Sequence, residues 1–196
     1  MKSVFNFLVE PKNGRTTAAV QIEDKELLLN TELQNHQYTS RLGVVRSTPT
    51  AMSTEVQVGD EIIVHHNVFR AFRDIRGKEK NSKSFITEDL FTVSIDQIYA
   101  YKRNGEWRAI EGFSFVKPIA NNDSFSLEKE RPLIGKLKFG GGGIKKGSLI
   151  GFTPSSEYEF NIDGERLYRV RNNQITVEYE YQGDEEEYNP SWSQGS

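Results

Sequence analysis

The stretch Tyr158–Ile175, Tyr-Glu-Phe-Asn-Ile-Asp-Gly-Glu-Arg-Leu-Tyr-Arg-Val-Arg-Asn-Asn-Gln-Ile, constrains the fold more than any other part of the chain. Two runs rich in β-branched and aromatic residues flank Asp163-Gly164, and Asp-Gly supplies the positive φ angles that a two-residue type I′ turn requires. The sequence therefore predicts a hairpin in which Phe160 faces Leu167 and Tyr158 faces Arg169. Tyr168 and Val170 then fall on the opposite face, so apolar groups lie on both sides, as a sheet packed against a neighbour requires. The second half of the stretch has a weaker, ungapped counterpart upstream. There Glu88, Leu90, Val93, Gln97 and Ile98 answer Glu165, Leu167, Val170, Gln174 and Ile175.

Three further landmarks recur in the same order. Phe113-Ser-Phe-Val-Lys-Pro118 matches the Pro-ended strand Phe5-Asn-Phe-Leu-Val-Glu-Pro11 with one residue skipped, and Gly43-Val-Val45 corresponds to Gly135-Lys-Leu137. Val56-Gln-Val-Gly-Asp-Glu-Ile-Ile-Val64 corresponds to Ile144-Lys-Lys-Gly-Ser-Leu-Ile-Gly-Phe152. Glycine before a β-branched run is common punctuation, so each match alone says little. Four in one order indicate a duplication, with a first module over 1–110 and a second, shorter one over 111–182. Short alternating strands separated by turn residues make both all-β. Asn104-Gly105 predicts a further hairpin turn before Trp107.

Between the first strand and Gly43, residues 12–40 lose periodicity, and one apolar island, Leu27-Leu28-Leu29, stands among polar residues. A loop of this length in a compact domain is usually functional or disordered, and the alternative is a short helix or strand that buries the leucines in the core. Arg70 to Ser84 is a second excursion, basic and polar, in which Phe69 and Phe72 interleave with Arg70, Arg73, Arg76, Lys78, Lys80 and Lys83. A basic groove with stacking aromatics is how small β-barrels hold single strands. Asp74, Glu79 and a net charge of −3 weigh against nucleic acid here, and a solvated loop is the plainer expectation. Residues 183–196, acidic and polar, read as a flexible tail, on which Tyr188 and Trp192 offer the apolar groups for a partner.

The chain has no cysteine, which removes disulfides, thiolate zinc sites and cysteine nucleophiles together. His65-His66, adjacent on an expected strand, would point to opposite faces and so could not share one metal ion. The run Phe139-Gly-Gly-Gly-Gly-Ile-Lys-Lys-Gly-Ser148 lacks the order of a phosphate loop and reads as a flexible connection. No nucleophile elbow or acid–base pair stands out, so neither an enzyme nor a bound cofactor is expected. No apolar run approaches the roughly 20 residues of a membrane span, and the N-terminus meets Glu10 and Pro11 too early for a signal peptide. The expectation is a cytoplasmic protein.

The repeated order resembles the GroES-type co-chaperonin family: a Pro-ended strand, a long mobile loop, a Gly-Val strand, Val-Gly-Asp before a β-branched strand, then a hairpin and a closing strand. Val58-Gly59-Asp60 with Ile62-Ile63-Val64, and Ser94-Ile-Asp-Gln-Ile-Tyr-Ala100, are similar to the family's central and C-terminal segments. Gly135-Lys-Leu-Lys-Phe-Gly-Gly141 and Ile162-Asp-Gly-Glu165 carry the likeness in the second copy. The resemblance implies two tandem small GroES-like β-barrels with long loops, a homo-oligomeric ring that lids a GroEL-type chaperonin, and a role in protein folding. It assigns chaperonin binding to Leu27, Leu28 and Leu29, which occupy the place of the family's apolar mobile-loop tripeptide. The second copy's loop, Ile119 to Arg131, is shorter and offers only Phe125 and Leu127. Arg46-Ser-Thr-Pro49 replaces the glycines that the family has after its Gly-Val strand, a drift that fits a divergent, phage-encoded member. The alternative is a structural or assembly protein of virion type, built on tandem β-barrels with no chaperonin partner.

Overall fold

The computed structural model describes residues 2–12, 14–15, 41–123, 127–180 and 185–193, and the backbone of 19–22 and 25–28. Strands joined by turns and short 3-10 segments make up the described chain, which divides into two compact units, Met1–Glu106 and Trp107–Ser196. The first carries β1 (Phe7–Pro11), β2 (Ala19–Ile22), β3 (Lys25–Leu28), β4 (Leu42–Ser47), β5 (Glu61–Val64), β6 (Ala71–Arg73), β7 (Glu79–Asn81), β8 (Phe85–Thr87), β9 (Leu90–Val93) and β10 (Ile98–Arg103). β11 (Glu106–Ala109) spans the division. The second carries β12 (Phe113–Ala120), β13 (Glu130–Gly140), β14 (Leu149–Phe152), β15 (Tyr158–Ile162), β16 (Glu165–Arg171) and β17 (Ile175–Tyr179).

The duplication read from the sequence is a duplication of topology. One sheet runs β11-β10-β5-β4-β1-β9-β8, the other β17-β14-β13-β12-β16-β15, and apart from β11 each strand has its counterpart in the same place. Register is preserved as well as order. Pro11 faces Gly43 as Pro118 faces Gly135, and Phe7 faces Val93 as Ser114 faces Val170. Ile62 faces Tyr101 as Ile150 faces Glu178. A register shift falls between Leu8 and Val9 in one unit and between Phe115 and Val116 in the other. Bulges re-aim the side chains that follow them, so a shared bulge keeps the inward set the same. Neither sheet closes on itself through hydrogen bonds.

The repeated residues have local physical reasons. A Cβ on Gly43 would lie 2.4 Å from Val9 Cγ1, and one on Gly135 would lie 2.5 Å from the Lys117 carbonyl oxygen, so the second strand can approach the first only where it has no side chain. Gln97 and Gln174 each end a 3-10 turn. Their Oε1 atoms accept the N–H three residues back, from Ser94 at 3.1 Å and Arg171 at 3.4 Å, which satisfies a donor the turn leaves open. Asp163 and Gly164 both have positive φ, 51° and 78°, and the hairpin they join pairs Phe160 with Leu167 and Tyr158 with Arg169, as expected. Asn104 and Gly105 do the same between β10 and β11. The glycine run is packed at its start and open at its end: a Cβ on Gly140 would meet the Phe113 carbonyl oxygen at 2.4 Å, whereas one on Gly143 would meet nothing within 4 Å.

In the second unit Val116, Leu137, Ile150, Phe152 and Val170 form the core, with Tyr168 and Ile175 packed against it. On the other side of β12, Phe115 stacks on Phe139 with centroids 4.6 Å apart and meets Phe160 edge-on. In the first unit Phe91 receives Phe69 and Phe85 edge-on, at 5.0 and 5.6 Å. Its Val-Gly-Asp turn is held by Asp60, 5% exposed, whose carboxylate accepts from Arg103 at 2.6 and 3.0 Å and from the Gln57 N–H at 2.8 Å. Burial pushes the Asp60 carboxyl upward, but the Arg103 and Gln57 donors outweigh it and hold the group below the usual carboxylate value. The counterpart in the second unit is Ser148, whose hydroxyl donates to Glu178 at 2.6 Å.

The expected tail is a docked segment over 185–193. Ala120 donates to the Glu186 carbonyl at 2.7 Å and Tyr188 to that of Pro118 at 2.8 Å, so the segment adds to the stretch of β12 that β16 no longer covers. Ser193 is fully buried, while Trp192 is exposed. Polar composition hid this because the segment is held mainly by hydrogen bonds.

Candidate functional site

The base of the first unit's long excursion is closed by its own sheet. Lys12 donates its N–H to Leu42 O at 2.9 Å and pairs through its side chain with Glu61 at 2.7 Å. Gly14, at φ +84°, turns the chain toward Arg15. The Arg15 guanidinium donates to Asn81 Oδ1 at 2.7 Å and to the Phe69 carbonyl at 3.4 Å, and pairs with Glu88 at 3.2 Å. It also lies 5.3 Å from the ring centroids of Phe85 and Phe91, within cation–π range.

Beyond this anchor β2 and β3 form an antiparallel hairpin, with Leu27 opposite Val20 and Leu28 opposite Ala19. Leu29 lies outside the described residues. The span expected to be a loop over 12–40 thus contains a two-stranded ribbon. Its signal was present: Val20 and Ile22 alternate with Gln21, and two residues, Glu23-Asp24, separate them from Lys25–Leu28.

The second unit differs at the same place. Between β12 and β13 the chain turns back at once, Asn121 donating to the Lys129 carbonyl at 3.0 Å. Leu127 is fully exposed, and Phe125 is outside the described residues. Glu130, at the start of β13, pairs with Arg166 at 2.5 Å, and Arg166 pairs with Glu159 at 2.7 Å. The Tyr168 hydroxyl donates to Glu130 at 2.5 Å, and burial together with that carboxylate pushes its pKa far above the ordinary value.

The basic excursion of the first unit is also a ribbon, β6 paired with β7, with Phe72 opposite Lys80. Its tip is built by Asp74, whose Oδ1 accepts the N–H groups of Arg76 at 2.9 Å and Lys78 at 3.0 Å. Phe69 is buried and Phe72 half-buried, so the aromatics do not stand out among the cations as stacking platforms would. Ile75, at the tip, is fully exposed. His65 and His66 lie just past β5 rather than on it, and their rings stack at 4.2 Å instead of pointing apart.

One further site had no sequence signal. Lys117 is 2% exposed, and its ammonium donates to Asn189 Oδ1 at 2.7 Å. That oxygen also accepts the Arg166 N–H at 3.0 Å, and Asn189 Nδ2 donates to Gly164 O at 3.1 Å. Burial pulls the Lys117 ammonium below its ordinary pKa. Beside it Lys138 pairs with Glu165 at 3.1 Å and Glu187 at 3.4 Å. Burial lowers its pKa too, but the two carboxylates prevail and leave it raised. One residue of the terminal segment therefore closes a buried cation site. No protein-family model matches the chain, and no curated protein matches it.

Proposed function

We propose that the protein is a co-chaperonin, a ring-forming lid that binds a GroEL-type chaperonin through Leu27, Leu28 and Leu29 and so assists protein folding. The observation that carries this reading is an asymmetry within the repeat. Two sheets of the same order and register differ in what joins their first two strands, and only the first joins them through a long excursion bearing an apolar tripeptide. A short apolar element on an excursion tied down at its base suits docking into a hydrophobic groove, where a small contact limits affinity and so permits release. Each sheet is read as a small barrel, with strand edges pairing between subunits to make the ring; β17 has no further strand beside it among the described residues.

The test is capture by an immobilised GroEL-type chaperonin in its nucleotide-bound state. The wild-type chain is retained, whereas the Leu27→Ser, Leu28→Ser, Leu29→Ser variant passes through. Equal retention of both removes the assignment to these leucines. Failure of the wild type to bind, together with protease resistance across 12–40, favours an assembly protein with no chaperonin partner.

A further inference from the structure

Two excursions distinguish the first unit from the second, and they occur together. The first is the leucine-bearing one. The second is the basic ribbon: twenty residues separate β5 from β8, whereas five separate β14 from β15. The sheet frame does not need the ribbon, since its counterpart folds without one. Residues 70–83 hold six cationic and two acidic side chains in a chain of net charge −3. Arg76, Lys78, Lys80 and Lys83 are exposed on and beside the ribbon. Arg15, at the root of the leucine excursion, joins the two excursions through its hydrogen bond to Asn81 of β7.

From this we propose that the ribbon Ala71–Asn81 is a second docking element, which meets an acidic surface on the same partner protein that takes the leucine hairpin. This inference rests on the chaperonin reading and adds the chemistry of the surface beside the leucine groove. An exposed aliphatic tip, Ile75, on a ribbon whose exposed charged side chains are mainly cationic fits a protein surface with an apolar hollow and an acidic rim. Single-stranded nucleic acid would need exposed rings to stack on, whereas Phe69 is buried and Phe72 half-buried. Charges at such a rim speed encounter and fix orientation, and their contribution falls as salt rises. The leucines supply the contact that persists.

The experiment measures binding of the full chain to an immobilised GroEL-type chaperonin over a range of sodium chloride concentrations. Arg76→Gln, Lys78→Gln, Lys80→Gln and Lys83→Gln are combined in one variant, and Lys145→Gln with Lys146→Gln, exposed cations of the second unit, serve as control. The ribbon variant is expected to bind roughly tenfold more weakly at low salt and to lose most of the salt dependence, while the control matches wild type. All these side chains are on the surface, and unchanged thermal unfolding certifies the fold. Wild-type binding with no effect of the ribbon variant overturns the inference and leaves the chaperonin reading standing. An equal loss in the control also overturns it, by showing a response to total charge alone. Absence of wild-type binding overturns both. Salt-sensitive retention of the wild type on an oligonucleotide resin, abolished in the ribbon variant, reassigns the ribbon to nucleic acid.

Discussion

At one position of their common frame the two units hold opposite charges. Glu10 and Lys117 face equivalent partners, Val44 and Lys136, and the bulge beside them holds Arg46 in one unit and Lys138 in the other. In the first unit Arg46 pairs with Glu10 at 2.5 Å, and the two side chains are 54% and 40% exposed. In the second the segment 185–193 lies over this place, so the same backbone position is withdrawn from water and needs an acceptor, which Asn189 supplies. Order and register thus belong to the frame, whereas the environment of a position depends on what the chain adds outside it. A surface ion pair contributes little, but an ammonium taken out of water depends on its partner.

The contrast can be broken in graded steps, each read by hydrogen exchange followed separately in the two units. The largest loss is expected at the Val-Gly-Asp turn. Asp60→Ala removes the buried carboxylate that gathers Arg103 and the Gln57 N–H, and should cost the first unit about 3 kcal/mol, whereas Ser148→Ala in the second should cost about 1 kcal/mol. Acid should act on the same turn. The folded pKa of Asp60 lies below its unfolded value near 3.8, so its contribution is complete above that value and is lost as pH falls below it through the folded pKa. Protection in the first unit should therefore fall with acid over that range, and Asp60→Ala should flatten the profile.

Next come the two glycines. Gly135→Ala would drive a Cβ against the Lys117 carbonyl at 2.5 Å and should cost about 3 kcal/mol; Gly43→Ala meets the buried side chains of Val9 at 2.4 Å and Phe69 at 3.0 Å, rather than backbone first, and should cost about 2 kcal/mol. Asn189→Ala leaves the Lys117 ammonium and the Arg166 N–H without that acceptor, a loss of about 2 kcal/mol confined to the second unit. Adding Lys117→Met should restore part of it, and no restoration would show that the segment docks independently of this lysine. The smallest effect is expected from Glu10→Ala, below about 1 kcal/mol, because the pair it breaks stands in solvent.

Legibility in the sequence tracked how local the determinants are. The Asp163-Gly164 hairpin and its register could be read because turn chemistry and alternation fall within eighteen residues, and Gln97 and Gln174 stood out because each closes its own turn. The repeat was legible where close strand approach demands glycine, at Gly43 and Gly135. The docked terminal segment was not, since its partners Lys117, Gly164 and Arg166 come from distant parts of the chain. The two ribbons of the first unit are hard to tell from loops in the sequence because their strands are short and, in β6–β7, mostly polar. The histidines stack because β5 ends at Val64, one residue before the first of them.

The unequal connections between β5 and β8 and between β14 and β15 give this molecule a ready acceptor site for protein engineering. The first copy carries a ribbon of its own at a place where the second carries only residues 153–157, with every neighbouring pairing kept. A peptide epitope or fluorophore-bearing hairpin spliced into that short connection should leave the surrounding frame intact, and would label the second unit.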